Sequence, residues 1–214
     1  MKICFVILTF ACLSFINASE DPTPPVWPNQ FEQTFSEQFV YGFLKGTTKG
    51  RFFYDYTNRT YRVDRDNGKY DRYCGTIYKF RDAACSHIVS GGNRFLYFPQ
   101  KNYCCNCCND EHGCGILKPD WLSGATFLGL ETDADGTVLE KWDKPGMQSN
   151  YYYSTHDENR IMRKIDQVPN DIQDFDVNSF YRGIRDSKVF DLPSQCDPEF
   201  KCPFLSICTL LSSR

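Results

Sequence analysis

Residues 50–65 read Gly-Arg-Phe-Phe-Tyr-Asp-Tyr-Thr-Asn-Arg-Thr-Tyr-Arg-Val-Asp-Arg, and their pattern indicates the fold of the chain. In the first half, every second side chain from Phe52 onward is aromatic, and in the second half apolar and charged side chains alternate from Tyr61. A period of two is typical of a strand with one buried face. Asn58 lies between the two halves, where a turn residue is expected. The stretch therefore predicts two antiparallel strands joined by a turn.

Similar aromatic or β-branched segments, separated by turn residues, continue along the chain. We predict further strands at residues 38–43, 75–80, 94–98, 125–130, 137–142, 150–154 and 160–165, with turns at Asn67-Gly68, Gly91-Gly92 and Asp135-Gly136. The four-residue spacing of Phe31, Phe35, Phe39 and Phe43 would also fit a helix. The β-branched and aromatic composition of 38–43 favours a strand from about residue 36 instead. The sequence thus predicts an all-β domain with an antiparallel sheet.

The N-terminal residues predict export from the cell. Residues 1–18 combine a basic start, a short apolar core and a small-residue cleavage site, which is the pattern of a signal peptide. Removing them leaves 196 of the 214 residues, enough for one domain, and changes the formal net charge from −3 to −4 because Lys2 is lost. A mildly acidic chain without a basic tract argues against a nucleic-acid partner. Residues 19–30 are rich in proline and predict an extended, poorly packed leader.

The cysteines predict a domain stapled by disulfides. Of twelve cysteines, Cys4 and Cys12 leave with the signal, and ten remain. These are Cys74, Cys85, Cys104, Cys105, Cys107, Cys108, Cys114, Cys196, Cys202 and Cys208. An even number in an exported chain favours disulfides, although two overlapping CxxC spacings also leave zinc binding or thiol exchange open. Since bridges between adjacent cysteines are strained, we expect the crowded thiols at 104–108 to reach Cys74, Cys85, Cys114 and the C-terminal three. The tail, residues 197–214, is too short to fold alone, so we expect at least one of its bridges to reach a cysteine before residue 115.

The abundance of aromatic residues, 13 Tyr and 18 Phe, predicts a broad buried face. Two arrangements would produce it: a solid core, or a sheet curved around an apolar cavity that holds a ligand. Periodicity does not distinguish them. If the sheet is hollow, the inward residues should include Phe52, Tyr54, Tyr61, Val63, Ile77, Phe127 and Trp142.

The order of these features resembles the ependymin-related family of secreted glycoproteins. The resemblance rests on the Gly50–Asp55 and Arg62–Arg65 segments, on Ile77-Tyr-Lys-Phe80, on Phe127-Leu-Gly129 with the strand ending at Trp142, and above all on Gly-Ile-x-Asp-x-x-Val-Phe-x-x-Pro-x-x-Cys at residues 183–196. It places the β domain at residues 31–196. It implies a curved antiparallel half-barrel with a hydrophobic pocket suited to a fatty acid or other lipid, and it makes calcium a candidate ion without indicating its ligands. The cysteine cluster at 104–108 and the tail cysteines are additions to the family pattern.

Other motifs are less specific. Asn58-Arg-Thr60 is an N-glycosylation sequon. Asp133-Ala-Asp135-Gly136 begins like a calcium loop, but the EF-hand closing position holds Trp142, so we predict a hairpin turn there. The three histidines, expected to be exposed, lie in no catalytic motif. We therefore predict no catalytic residue and no metal ligand.

The sequence as a whole predicts a secreted or endolysosomal, non-catalytic protein that binds a hydrophobic ligand, without any other cofactor. The alternative is an extracellular adhesion or surface protein with a filled core, whose cysteine-rich loop contacts a protein partner or a second copy.

Overall fold

The computed structural model describes residues 22–41, 44–79, 81–146, 150–168 and 171–212, which form one antiparallel sheet. The strands are β1 (Gln30–Tyr41), β2 (Leu44–Asp55), β3 (Thr60–Arg65), β4 (Cys85–Ser90), β5 (Asn93–Phe98), β6 (Tyr103–Asn109), β7 (Thr126–Thr132), β8 (Val138–Asp143), β9 (Asn150–Thr155), β10 (Met162–Gln167), β11 (Asp171–Phe175) and β12 (Tyr181–Arg182). Two short helices are α1 (Cys74–Ile77) and α2 (Ile207–Ser212). The predicted all-β antiparallel fold is confirmed. The predicted signal peptide, residues 1–18, lies outside the described residues.

The sheet is open and strongly curved. Its strand order is β6-β5-β4-β3-β2-β1-β11-β10-β9-β8-β7, with β12 beside β1. In a flat sheet, β4 and β8 would be separated by seven strand spacings of about 4.8 Å, or roughly 34 Å. Yet Val89 on β4 and Trp142 on β8 belong to one cluster of buried side chains. The sheet therefore curls around this cluster, and we call the face that carries it the inner face.

The strand β1 begins earlier than predicted. It starts at Gln30, not near residue 36, and Phe31, Phe35 and Phe39 are buried on the inner face. A spacing of four residues keeps side chains on one face of a strand as well as of a helix, which explains the ambiguity. The prediction of a poorly packed leader is also wrong at Trp27, whose side chain is only 6% exposed.

The predicted strand at residues 75–80 is wrong. The part of it that the structure describes begins in α1. One carboxylate oxygen of Asp71 accepts hydrogen bonds from the backbone N–H groups of Tyr73 (3.0 Å) and Cys74 (2.7 Å) and so fixes the helical turn. The strands β4, β6, β11 and β12 were not predicted; β6 contains the crowded cysteines themselves.

All ten cysteines of the predicted mature chain form disulfides. The pairs are Cys74–Cys85, Cys104–Cys196, Cys105–Cys202, Cys107–Cys208 and Cys108–Cys114. The crowded thiols reach Cys114 and the three tail cysteines, as predicted. The expectation that they also reach Cys74 and Cys85 is wrong, because these two face each other where the turn before α1 packs on β4. Side chains on β6 alternate between faces, so its adjacent cysteines bond in different directions.

Residues 183–196, the most specific part of the family resemblance, lie against the outer face. Arg62 on β3 donates a hydrogen bond to the carbonyl oxygen of Val189 (3.0 Å), and Arg185 pairs with Glu32 on β1. Cys196 then joins Cys104 on β6. This segment ties central strands to an edge of the sheet. No helix among the described residues is long and apolar enough to cross a membrane.

Candidate functional site on the inner face of the sheet

The inner face brings together six of the seven predicted pocket residues. Tyr54, Tyr61, Val63 and Trp142 are buried in one cluster, and Phe52 and Phe127 pack against it while partly exposed. The ring centroids of Phe127 and Trp142 are 5.1 Å apart, and the rings of Phe52 and Tyr61 stack at 6.2 Å. The seventh residue, Ile77, does not join them. It packs against a second cluster around Cys74 and the cysteines of β6, because its segment is helical.

Two loop segments cover this aromatic face, and we call them the covering segments: residues 22–29 before β1 and residues 115–125 before β7. Trp27 of the first segment contacts the rings of Phe31 and Tyr54 edge-on, with centroids 5.4 and 5.3 Å apart. Leu122 of the second segment is fully buried, and Trp121 packs against the same cluster. A loop layer therefore occupies the position that a second sheet would take in a β-sandwich.

A few hydrogen bonds hold the covering segments. The Trp27 backbone N–H donates to the carbonyl oxygen of Pro119 (2.9 Å), which joins the two segments. The Trp27 indole N–H donates to the Tyr152 hydroxyl (2.9 Å), and the Tyr54 hydroxyl donates to the carbonyl oxygen of Leu117 (2.7 Å). The indole N–H of Trp121, in contrast, is buried and has no acceptor among the residues that the structure describes. A buried donor left unpaired costs about 1–3 kcal/mol, so this closed arrangement leaves one polar group unsatisfied.

A buried polar cluster adjoins the aromatic face at Phe35. The guanidinium carbon of Arg65 lies 5.6 Å from the centre of the Phe35 ring, and Arg65 pairs with Glu37 and with Asp71 (3.4 Å). The nearest His87 ring nitrogen lies 2.9 Å from an Asp71 oxygen. Glu37 on β1 and Arg65 on β3 occupy the same face as Phe35, because strand alternation places them there.

Burial and neighbouring charges shift the pKa values of three side chains in and beside this cluster. Burial, together with the neighbouring Glu37 carboxylate, raises the pKa of Asp171 to about 8. Burial alone would raise the pKa of Asp71, but Arg65 and His87 hold it well below its ordinary value. Burial lowers the pKa of His87 despite the attraction of Asp71. Near neutral pH the cluster therefore contains a protonated Asp171, an ionised Asp71 and a neutral His87.

The histidines correct the expectation of three exposed imidazoles. His87 is buried, His112 is partly buried, and only His156 is half exposed. His87 lies close to Cys74 and Cys85, three side chains whose ligand atoms could in principle surround a metal. The two sulfur atoms are bonded to each other, so they offer no thiolate to an ion. The predicted zinc and thiol-exchange alternatives find no free cysteine pair among the described residues.

A family model described as "Domain of unknown function (DUF8395)" matches residues 26–196, which is most of the chain. The chain belongs to this family. The match begins beside Trp27 and ends at Cys196. The DUF8395 domain therefore includes residues 26–29 of the first covering segment and all of the second, and it excludes the tail with Cys202 and Cys208. No curated protein matches the chain in a sequence search. The resemblance to ependymin-related proteins stays a prediction.

One solved structure shares the general fold of this DUF8395 chain, and two others align less closely. An uncharacterized conserved protein from Thermus thermophilus aligns with a TM-score of 0.50 at 9% identity, covering 79% of this chain and 89% of that one. A LolA superfamily protein from Nitrosomonas europaea gives a TM-score of 0.34 at 9% identity, with 76% and 90% covered. A DUF1329 family protein from Desulfovibrio piger gives 0.36 at 7% identity, with 79% and 92% covered. At 9% identity, the similarity to the Thermus thermophilus protein concerns the fold alone.

Other predicted sites of the DUF8395 chain lie away from the inner face. Asn58 is exposed in the turn between β2 and β3, and its side-chain amide donates to Asp55 (2.7 Å). Its glycosylation stays a prediction. The residues around Asp135 form the predicted hairpin turn between β7 and β8: the Asp133 N–H donates to the Thr137 carbonyl oxygen (2.9 Å), and Asp135 accepts from the Thr137 N–H (2.9 Å). Asp133 pairs with Arg163 (2.6 Å), so its carboxylate is already engaged, and calcium binding stays untested.

Sequence reasoning missed the covering residues and the polar cluster. Trp27, Trp121 and Leu122 lie outside any alternating pattern, although large apolar residues in proline-containing loops signal burial. Arg65 continues the inward alternation of Tyr61 and Val63, so its register indicated a buried charge. Its partner Asp71 comes from a turn whose position only the tertiary structure defines.

Proposed function

We propose that this protein binds a hydrophobic ligand, such as a fatty acid or another lipid, between the inner face of the sheet and the covering segments. The observation that supports the proposal is that loops, and not a second sheet, cover the aromatic face. An aromatic surface spanning strands β1 to β4 and β8 to β11 is closed by two loops, joined to each other through the Trp27–Pro119 hydrogen bond. Loops of this kind open at lower free energy than a packed second layer.

The unpaired Trp121 indole supports an amphiphilic ligand. A ligand that displaces the covering segments must compensate for the aromatic contacts they lose, and an acyl chain can do so by burying apolar area, worth about 0.8 kcal/mol per methylene. A carboxyl or ester oxygen could in addition accept the hydrogen bond that Trp121 lacks in the closed state. A lipid supplies both an apolar chain and an acceptor.

The proposal includes a non-catalytic role in an exported protein. All ten cysteines of the predicted mature chain are in disulfides, which removes them as nucleophiles and fits an oxidising compartment such as the extracellular space or the endolysosomal lumen. His87 pairs with Asp71, and Asp71 is in turn engaged with Arg65. Such pairing is expected of a structural ion cluster.

A filled core favours the second candidate, an extracellular interaction protein. Trp27 and Leu122 already pack against Tyr54, Trp142 and their neighbours, so the space is occupied in the closed state. The two candidates differ in whether the covering segments leave the face when a ligand is offered.

Two substitutions on β7 test the proposal. Phe127 packs against the inner-face cluster, whereas its neighbour Leu128, at the bulge in β7, is 48% exposed and is not part of the cluster. We expect lipid to co-purify with the secreted wild-type protein and with Leu128→Asp, as measured by mass spectrometry after native purification. Phe127→Asp should be secreted but carry at least roughly tenfold less lipid, because a carboxylate would be placed against the apolar ligand.

Two results would count against the ligand. If the wild-type protein purifies without lipid, the proposal of a bound hydrophobic ligand loses its main support. An equal loss of secretion and lipid in Phe127→Asp, with Leu128→Asp unaffected, would favour the solid core of an interaction protein.

A further inference from the structure

The C-terminal tail presents a concentrated apolar surface. Phe204 is 81% exposed, Leu205 is 79% exposed, and Leu210 on α2 is 67% exposed. We call these three side chains the tip. Single exposed apolar residues are common, but three such residues within seven positions of one short segment are a concentration that indicates a binding surface.

The tip is not the loose end of a chain. Cys202, just before it, is bonded to Cys105, and Cys208, within it, is bonded to Cys107. The Asn106 backbone N–H donates to the carbonyl oxygen of Phe200 (2.7 Å), so the tail also runs beside the edge strand β6. A rigid support lowers the conformational entropy that the exposed side chains lose on binding.

A groove beside the tip carries positive charge. It has a volume of about 390 Å³ and is lined by Asn106, Cys107, Cys108, Asn109, His112, Lys201, Cys202, Phe204, Cys208 and Thr209. Lys201 and His112 are its titratable side chains apart from the disulfide-bonded cysteines, and no carboxylate is among the residues that line it. Asp197 and Glu199 precede Lys201 in the chain but do not line the groove.

The exposed apolar tip and the adjacent positively charged groove together fit a membrane surface that contains anionic lipids. The tip side chains are largely exposed to solvent, so they can enter the deformable boundary between head groups and acyl chains, as exposed aromatic and aliphatic residues do at membrane interfaces. The adjacent groove can receive a phosphate or carboxylate head group beside the Lys201 ammonium. A protein partner would instead need a preformed hollow to receive the tip.

We propose that the tip inserts into the surface of anionic membranes and that the groove with Lys201 and His112 contacts the head groups. The membrane contact uses a different part of the molecule from the inner face. Failure of the membrane contact would therefore leave the proposed ligand site on the inner face unaffected, and the reverse also holds.

A vesicle flotation assay on the secreted, disulfide-intact protein tests this inference. The probes are phosphatidylcholine vesicles with and without about one third phosphatidylserine. We expect wild-type protein to float with the anionic vesicles. The double variant Phe204→Ser/Leu205→Ser should need at least roughly tenfold more lipid for half of the protein to float. Lys201→Gln should reduce the preference for anionic over neutral vesicles.

The matched control is Leu128→Ser/Leu130→Ser on β7, which removes two exposed apolar side chains at the opposite edge of the sheet. It should bind vesicles as the wild type does, and peptide mapping should find all five disulfides in every variant. Wild-type protein that fails to float, or equal weakening by both double variants, would overturn the inference. So would a dimer, seen by sedimentation velocity, that only the tip variant dissociates while vesicle binding stays unchanged.

Discussion

At the scale of single residues, the inner face combines an aromatic surface with buried charge. Arg65 extends the row of Tyr61 and Val63 and lies over the Phe35 ring, so the charge borders the apolar surface directly. Because Glu37 and Asp71 both pair with it, its burial is compensated by two carboxylates. Removing one member of such a group leaves an uncompensated buried charge and typically costs about 3–5 kcal/mol. The cluster therefore defines one register for the central strands.

Asp171 makes stability depend on pH. Burial and Glu37 raise its pKa in the folded state to about 8, whereas an unfolded aspartate titrates near about 3.9. The raised pKa gives stabilisation that is complete below about pH 4 and is lost as the pH rises through 8, with a slope of at most about 1.4 kcal/mol per pH unit.

Urea unfolding of wild type and Asp171→Asn at about pH 5 and about pH 8 measures this contribution. The asparagine is neutral at both values, so the variant should lose less unfolding free energy between them than the wild type. The lowered pKa of His87 makes the folded state less stable as the pH falls, which is the opposite of the effect of Asp171. His87 is present in both proteins, so its contribution cancels in the comparison. Equal losses in the two proteins would show that Asp171 is already ionised at the lower pH.

At the scale of elements, the tail completes the edge of the sheet. Three disulfides join residues 196, 202 and 208 to β6, across sequence separations of 92, 97 and 101 residues. In the chain-entropy model, a loop of about 100 residues closed by a disulfide stabilises by about 4.7 kcal/mol. The tail is thus a structural part of the molecule even though it lies beyond the DUF8395 match.

A chain ending at Leu192 should be secreted poorly. The truncation leaves Cys104, Cys105 and Cys107 without partners and removes the contacts of the tail with β6. We expect at least a several-fold lower secreted yield than for a chain ending at Ser212, measured by immunoblot of medium and cells, and free thiols in whatever is secreted. Equal yields from both truncations would make the tail an appendage.

The elements that the sequence predicted are those with regular alternation. The strands β1, β2, β3, β5, β7, β8, β9 and β10 overlap predicted segments, because those segments contain aromatic or β-branched side chains bounded by turn residues. The sequence did not reveal β6, since its run of cysteines and asparagines shows no contrast between the two faces of a strand. The sequence wrongly indicated a strand at α1, because composition does not show the Asp71 hydrogen bonds that fix the helical turn. The tail bridges were predictable from geometry, whereas the Cys74–Cys85 pair depends on how the turn before α1 packs on β4.

At the scale of the whole molecule, curvature is what creates a candidate site. A sheet that rolls Trp142 toward Val89 encloses an apolar face too wide for its own side chains to fill, and the covering segments complete it with Trp27, Trp121 and Leu122. Alternation predicted four of the six inner residues, namely Phe52, Tyr54, Tyr61 and Val63. The cover was not predicted, because it depends on loops that return over the sheet.

The chain has three tryptophans, Trp27, Trp121 and Trp142, and all three contact this one cluster. Tryptophan fluorescence therefore reports on the inner face without added labels. The tip contains no tryptophan, so its membrane contact does not contribute to this signal.

Titration of delipidated protein with a brominated fatty acid, whose bromine atoms quench tryptophan on contact, is the most direct test of ligand binding on the inner face. We predict saturable quenching in the wild type and in Leu128→Asp, weaker quenching in Trp121→Phe, and little in Phe127→Asp. Unchanged fluorescence in the wild type over the whole titration, with all five disulfides intact, would contradict a ligand on the inner face and leave a solid core.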